Sequence, residues 1–174
     1  MRMNRAVLFG ILLLILENGL VPWLVPTAWS GRLTPHLVFV LMIYVASFSG
    51  RHGGFFFGIG FGLLMDILNY GSMIGPYAFG MGLVGYATGL ALERRPPGLA
   101  GMVTAAAICS VGLGSMIYLI YRLFSLTSWP YIFAFYWNIA PTMLLETLIA
   151  LVLYFPVRRY LLKAIPSSQE EPAA

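Results

Sequence analysis

Three carboxylates lie inside long apolar stretches of this sequence, where a charged side chain is costly. They are Glu17, Asp66 and Glu146. A charged residue at the centre of a membrane-spanning helix costs about 2.5–3.5 kcal/mol on insertion scales, so each carboxylate is expected to face protein or water. Such groups either form a functional polar interior or make hydrogen bonds that only fix the packing of helices. The residue types leave both interpretations open.

One of these carboxylates ends a stripe of glycines. Gly54, Gly58 and Gly62 precede Asp66 at four-residue steps, which places them on one face of an α-helix. Each glycine destabilises a helix in water by about 1 kcal/mol relative to alanine, but in a bilayer small residues let a neighbouring helix approach closely. The stripe therefore predicts a tightly packed membrane helix, on which Ile59 is expected to face another direction.

Two further sets of residues at four-residue steps follow along the chain, one polar and one a pair of glycines. Asn138, Thr142 and Glu146 recur at four-residue steps and share one helix face. With the two earlier acids they are the candidate residues for a ligand pocket or a partner-helix site within the membrane. Gly85 and Gly89 form a GxxxG pair, which favours packing within the chain over dimerisation.

Asp66 is also placed to stabilise the turn that follows its helix. Residues 69–75 contain Asn69, Gly71 and Gly75, and glycine adopts φ > 0 without strain. We expect the carboxylate to accept hydrogen bonds from backbone N–H groups of this turn. The turn would then shape the outer surface that a partner helix contacts.

No residue pattern in this chain is typical of an active site or a metal centre. His36 and His52 are predicted to lie on opposite sides of the membrane, as interfacial polar residues that cannot share a metal. The sequence has no HExxH motif, no GxGxxG opening a soluble helix and no Walker lysine. We therefore expect no catalytic residue, no cofactor and no metal site.

Composition places the chain in a membrane. Of its 174 residues, 60% are hydrophobic and only 9% are charged, against about 25% charged residues in ordinary globular domains. The net charge of +4 does not indicate a nucleic-acid partner, because the basic residues flank apolar runs, as they do beside a lipid bilayer. Cys109 is the only cysteine, so an intrachain disulfide is excluded.

Six apolar stretches predict an all-α polytopic membrane protein with six transmembrane helices. The predicted spans are residues 6–24, 35–49, 53–68, 76–92, 99–123 and 131–155. The second and third are short, and Gly50 and Gly53 on either side of Arg51 favour a tight turn between them. We expect one domain, residues 1–166, and a disordered cytoplasmic tail, residues 167–174.

The basic residues predict the orientation of these spans. With the N-terminus in the cytoplasm, eight Lys and Arg residues fall on the inner side and two, Arg32 and Arg122, on the outer side. Cytoplasmic loops of membrane proteins are enriched in Lys and Arg, so this distribution predicts that both termini are cytoplasmic. The inner residues are Arg2, Arg5, Arg51, Arg94, Arg95, Arg158, Arg159 and Lys163.

One set of residues between Pro35 and Gly89 forms a recognisable pattern. Its members are Pro35, Leu37, Gly54, Gly58, Gly62-Leu63-Leu64-Met65-Asp66, Gly71, Gly75 and Gly85-Tyr86. With this pattern, the part of the chain from Pro35 to Gly89 resembles the MreD family of bacterial rod-shape-determining membrane proteins. His36 departs from the family pattern, in which this position is often polar or acidic, so a partner contact at this position does not carry over.

The resemblance implies a non-enzymatic scaffold of the cell-wall elongation complex, in the plasma membrane of a bacterium. It implies association with the bitopic protein MreC and, through the complex, with the actin-like MreB filament and wall synthases. It leaves homo-oligomerisation open. The family is similar in fold to the six-helix substrate-binding subunits of energy-coupling-factor vitamin transporters.

That similarity in fold supplies an alternative function, the small-molecule-binding membrane subunit of such a transporter. These subunits commonly carry a small-residue face on the first helix, where the energising subunit docks, and here only Ala6 and Gly10 match. A third class, a lipid flippase or channel, would need a continuous polar path, and three isolated acids fall short of one. The scaffold ranks first, the transporter subunit second and the flippase third.

Overall fold

The computed structural model describes residues 3–24, 35–68, 73–92 and 98–162 of the chain, and all regular secondary structure in these residues is helical. The all-α prediction is therefore confirmed for the described residues. The predicted tail, residues 167–174, and much of the predicted loops lie outside them. The helices are α1 (Met3–Leu24), α2 (Leu37–Leu68), α3 (Pro76–Leu92), α4 (Leu99–Leu123), α5 (Tyr131–Ala134) and α6 (Ala140–Leu162), with a π-helical turn (Phe135–Ile139) joining the last two.

Three of the described helices are long and apolar enough to cross a membrane. They are Leu37–Leu68 (α2), Leu99–Leu123 (α4) and Tyr131–Tyr154, which combines α5, the π-helical turn and most of α6. Ala6–Gly19, within α1, is a shorter apolar helix. Helices of this length and composition are typical of membrane-spanning segments. The chain is therefore an all-helical membrane protein.

Helix α2 is folded back on itself at Gly50. This residue has φ 74° and ψ −177°, a backbone conformation that only glycine adopts at low cost. Ala46 and Gly54 meet across the bend, since a Cβ built on Gly54 would lie 2.6 Å from the Ala46 Cβ. In a straight helix, residues eight positions apart are about 12 Å apart. The predicted turn is thus confirmed, but it is tighter than predicted, because the helix resumes at Arg51 rather than at residue 53.

The first arm of α2, residues 37–49, forms the centre of the bundle. Every residue from Val38 to Ser47 is buried, and a helix that is apolar on all sides is expected to be enclosed by other helices. The Tyr44 hydroxyl donates a hydrogen bond to the Ala150 carbonyl of α6, at 2.6 Å. Thirteen residues of helix extend about 20 Å, less than the ~30 Å hydrocarbon core of a bilayer. The arm is therefore too short to cross the hydrocarbon core as a straight helix. Its stability comes from the protein contacts that surround it.

The second arm of α2, residues 51–68, packs antiparallel against α3 with almost no side chain between the two backbones. A Cβ built on Gly54 would lie 2.6 Å from the Gly85 carbonyl oxygen, and one on Gly62 would lie 2.6 Å from the Tyr77 carbonyl oxygen. A Cβ on Gly58 would collide with the Met81 carbonyl. The glycine stripe is therefore the contact surface between these helices.

The GxxxG pair of α3 lies on the other side of the same contact. A Cβ built on Gly85 would lie 2.5 Å from the Gly54 carbonyl oxygen, and one on Gly89 would collide with the backbone of Arg51. Both glycines therefore pack against α2 of the same chain, as the GxxxG pair predicted.

From its place on the helix, Ile59 was expected to face away from this interface. In the structure it faces α3. A Cβ built on Gly82 would lie 2.7 Å from the Ile59 Cγ1, so the isoleucine side chain covers that glycine of α3. Gly60 instead faces open space, with no atom within 4 Å of a Cβ built on it. The expectation was wrong because the gap left by Gly82 widens the contact beyond the stripe.

Candidate functional site: a polar cavity at one end of the bundle

Asp66 stabilises the start of α3 from the end of α2. Its carboxylate accepts hydrogen bonds from three backbone N–H groups, those of Gly75 at 3.0 Å, Tyr77 at 3.2 Å and Ala78 at 3.1 Å. The first N–H groups of a helix have no partner within the helix, and a carboxylate there also interacts favourably with the helix dipole. The side chain is buried, at 3% exposure.

The predicted hydrogen bond from Asp66 to the following turn is confirmed at Gly75. This glycine has φ 123°, a conformation that favours glycine and that directs its N–H toward the carboxylate. The other glycine of the predicted turn, Gly71, and Asn69 lie outside the described residues. The structure adds two bonds that local sequence does not indicate, because they belong to the next helix.

Glu17 and His36 form a buried pair between α1 and the start of α2. The His36 Nδ1 lies 3.3 Å from a Glu17 carboxylate oxygen, and the Val38 N–H donates to the other oxygen at 3.3 Å. His36 is 7% exposed, so protein encloses its side chain, and its predicted depth at the membrane interface stays a prediction. The Glu17 carboxylate interacts with both the imidazole and an N–H at the start of α2 that has no partner within the helix. These two interactions explain how His36 can be buried.

Tyr77 connects this pair to Asp66. The Tyr77 hydroxyl lies 3.4 Å from the His36 Nε2, and the two rings meet edge to face with centroids 5.2 Å apart. The backbone N–H of the same tyrosine is held by Asp66. Two of the three acids are thus joined through His36 and Tyr77, and the expectation that they are isolated was wrong.

A cavity of about 300 Å³ opens beside this cluster, at the lower end of the ~300–1,000 Å³ range of small-molecule sites. Its walls come from α4, the π-helical turn and α6, with His36 and Tyr77 at one side. The polar stripe of α6 contributes all three of its members, Asn138, Thr142 and Glu146.

The π-helical turn positions the start of this stripe. The Ala140 N–H donates to the Phe135 carbonyl, five residues back. Pro141, which follows, has no N–H to continue the regular pattern. Such turns occur mostly inside α-helices and frequently at functional sites. The π-helical turn therefore ends just before Pro141, and Asn138 within it lies on the cavity wall.

Glu146 is the acid that no hydrogen bond satisfies. Its side chain is 1% exposed, and neither carboxylate oxygen has a hydrogen-bond partner in the described part of the chain. The Ser110 hydroxyl and the His36 backbone lie close to the carboxylate, but neither reaches it with the distance and angle of a hydrogen bond. Leaving a buried carboxylate unpaired costs several kcal/mol, about as much as one lost ion-pair partner.

Several residues of the cavity were not singled out from sequence. Tyr77, Tyr118 and Tyr121 line it from α3 and α4, and no spacing relates them to the α6 stripe. Ser110 of α4 also lines it. These residues meet only because α3, α4 and α6 pack together.

The described residues offer no metal centre and no free small-residue face on α1. No group of three or more His, Cys, Asp or Glu residues within them is placed to hold a metal ion. Ala6 is buried, at 3% exposure, and a Cβ built on Gly10 would collide with the ring of Phe61. Ala6 is thus buried, and Gly10 is covered by Phe61 of α2.

The comparison with known protein families gives one match. A family model described as rod shape-determining protein MreD matches residues 1–164. No curated protein and no solved structure matches the chain. The matched range includes every described helix and the whole cavity.

Proposed function

This chain belongs to the MreD family of rod shape-determining proteins, and from that premise we propose that it is a non-enzymatic scaffold of the bacterial cell-wall elongation complex. In this proposal it binds an MreC-like bitopic partner in the plasma membrane and, through it, an MreB-like filament and wall synthases. The match over residues 1–164 is the observation that carries the proposal.

The packing of the chain supports a scaffolding role. The backbones of α2 and α3 are in contact along the glycine stripe, and Asp66 holds the end of that pair by three hydrogen bonds. Contacts of this kind leave few alternative arrangements, as a rigid docking surface requires. Phe79, Leu83 and Leu90 on α3 are exposed, which leaves an apolar face for lipid or for the partner's helix.

The proposed topology has six membrane passes with both termini in the cytoplasm. Its support is the distribution of basic residues, eight inside and two outside. In this arrangement the two arms of α2 are separate passes, and Arg51 and His52, which are exposed at the bend, face the cytoplasm. The cluster around His36 and the cavity then lie in the outer half of the membrane.

Single cysteines test this topology in a Cys109→Ser background. Gly98→Cys and Ser128→Cys both introduce a thiol at an exposed position, at opposite ends of α4. We expect an impermeant thiol reagent added to intact cells to label Ser128→Cys and not Gly98→Cys, and to label both after lysis. The reverse pattern in intact cells would contradict the proposed orientation.

The functional proposal is tested in a rod-shaped bacterium whose own MreD has been removed. We expect this chain to restore rod shape and to co-purify with the host's MreC in mild detergent. The control is the same host with an empty vector, which stays round. Round cells despite normal insertion of the chain, with no MreC recovered, would contradict the proposal.

The cavity favours one alternative, the substrate-binding subunit of a vitamin transporter. Its volume suits a small molecule, but Gly10, on the α1 face expected to dock an energising subunit, is covered by Phe61. Co-purification of an ATPase pair instead of MreC, with restored uptake of a micronutrient, would favour the alternative.

A further inference from the structure

The cavity beside α6 has the charge and the lining of a site for a cationic ligand. Glu146 lies on its wall, is buried and has, among the described residues, no hydrogen-bond partner for either oxygen. We propose that this cavity binds a small organic cation through a primary ammonium group, with Glu146 as its counter-charge. This goes beyond the scaffolding role, which requires no ligand.

The polar groups of the cavity set the sign of the ligand's charge. No Lys or Arg is among the described residues that line it. His36 is the one basic side chain among these described residues, and both of its ring nitrogens are engaged, with Glu17 and with Tyr77. Within the described part of the chain the cavity therefore offers no free cationic group to hold an anion, and its unpaired group is a carboxylate.

An ammonium group matches what Glu146 lacks. It carries three N–H donors and no acceptor, and a charge-assisted hydrogen bond to a carboxylate is about twice as strong as a neutral one. The Ser110 hydroxyl, on the same wall, is a further acceptor for the remaining donors.

The rest of the lining indicates an organic cation rather than a bare ion. Tyr77, Tyr118 and Tyr121 line the cavity, and the face of an aromatic ring attracts a cation within about 6 Å. Leu113 and Ile117 add apolar surface for a hydrocarbon portion. One water molecule occupies ~30 Å³ in the liquid. A cavity near 300 Å³ is therefore large enough for an organic molecule.

Binding is tested with the purified full-length chain in mild detergent and three probes of similar size. Benzylammonium carries the proposed group, benzyl alcohol is its neutral counterpart and benzoate is the anionic one. We expect benzylammonium to raise the melting temperature in a saturable manner, benzyl alcohol to do so only weakly and benzoate not at all. Sodium chloride at the same concentrations controls for ionic strength.

Two variants connect the binding to the cavity. Glu146→Gln keeps the shape of the side chain and should weaken benzylammonium binding by at least about tenfold, since it removes the charge-assisted hydrogen bond. Tyr121→Leu keeps the carboxylate, loses one aromatic face and should weaken binding several-fold. Thr147→Val is the control, because its hydroxyl donates to the Met143 carbonyl of its own helix, and it should bind as the parent chain does.

Three outcomes would overturn the inference. They are equal stabilisation by benzylammonium and benzyl alcohol, unchanged affinity in Glu146→Gln, and no stabilisation by benzylammonium at any concentration. If Glu146→Gln fails to fold, unchanged affinity in Tyr121→Leu would overturn it in the same way. These measurements need no partner protein, so their failure would leave the rod-shape proposal standing, and a failure to restore rod shape would leave the binding result standing.

Discussion

Gly58→Leu should separate the second arm of α2 from α3 and sharply lower the yield of folded protein. A Cβ at this position would collide with the Met81 carbonyl and lie 2.7 Å from its carbon and 3.0 Å from the Gly82 nitrogen. These are backbone atoms, which no change of side-chain rotamer can move. Overpacking costs about 1–3 kcal/mol in soluble cores, and here the whole contact between two helices must widen. We expect the melting temperature in detergent to fall by an amount on the order of 10 °C.

Replacement by alanine gives a sharper test, because the melting temperature should change in opposite directions at Gly58 and at Gly60. Alanine stabilises a helix by about 1 kcal/mol relative to glycine. Gly60 has no atom within 4 Å of a Cβ built on it, so Gly60→Ala should leave the melting temperature unchanged or raise it. Gly58→Ala should lower it despite the gain in helix propensity. Equal melting temperatures for the two alanine variants would contradict the close contact between the backbones.

Asp66→Leu should weaken the start of α3 and, with it, the surface proposed to contact the partner. The substitution leaves the N–H groups of Gly75, Tyr77 and Ala78 without the acceptor they have now. An unsatisfied buried donor costs about 1–3 kcal/mol. We expect a loss on the order of 10 °C in melting temperature, faster hydrogen exchange in the first turn of α3, rounded cells and less co-purified MreC.

Asp66→Asn should have an intermediate effect. One oxygen remains to accept from Gly75 and Ala78, but an NH₂ group replaces the oxygen that accepts from Tyr77, and two donors then face each other. Ile67→Leu is the matched control, since the Ile67 side chain is 58% exposed and should tolerate the exchange. Unchanged hydrogen exchange in α3 of Asp66→Leu would contradict the capping role. Normal rods with loss of micronutrient uptake would favour the transporter subunit.

The position of Asp66 also connects the glycine stripe to the cavity. Its hydrogen bond to the Tyr77 N–H fixes the tyrosine whose hydroxyl lies beside His36 and whose side chain lines the cavity. A change at Asp66 is therefore expected to alter both the helix contact and the ligand site. Gly60→Ala should alter neither.

The local pattern of the sequence was sufficient for the features that depend on neighbouring residues of one helix. Composition determined the helical membrane class, because few charged residues can be buried in lipid. The four-residue period of Gly54, Gly58 and Gly62 determined which face of the helix approaches α3, since that period fixes side-chain direction. Gly50 determined the bend, because φ 74° is costly for other residues.

Only the tertiary structure decided which distant residues meet. His36 lies 19 residues from Glu17 and 41 from Tyr77 in the chain, and no periodicity extends over such a distance, so its burial was not predicted. The cavity has the same origin, because its walls come from separate helices whose relative rotation depends on packing. Sequence identified Glu146 as an acid in an apolar helix. That its oxygens are unpaired depends on which groups the other helices place beside it, and those positions are set by the contact of whole helices.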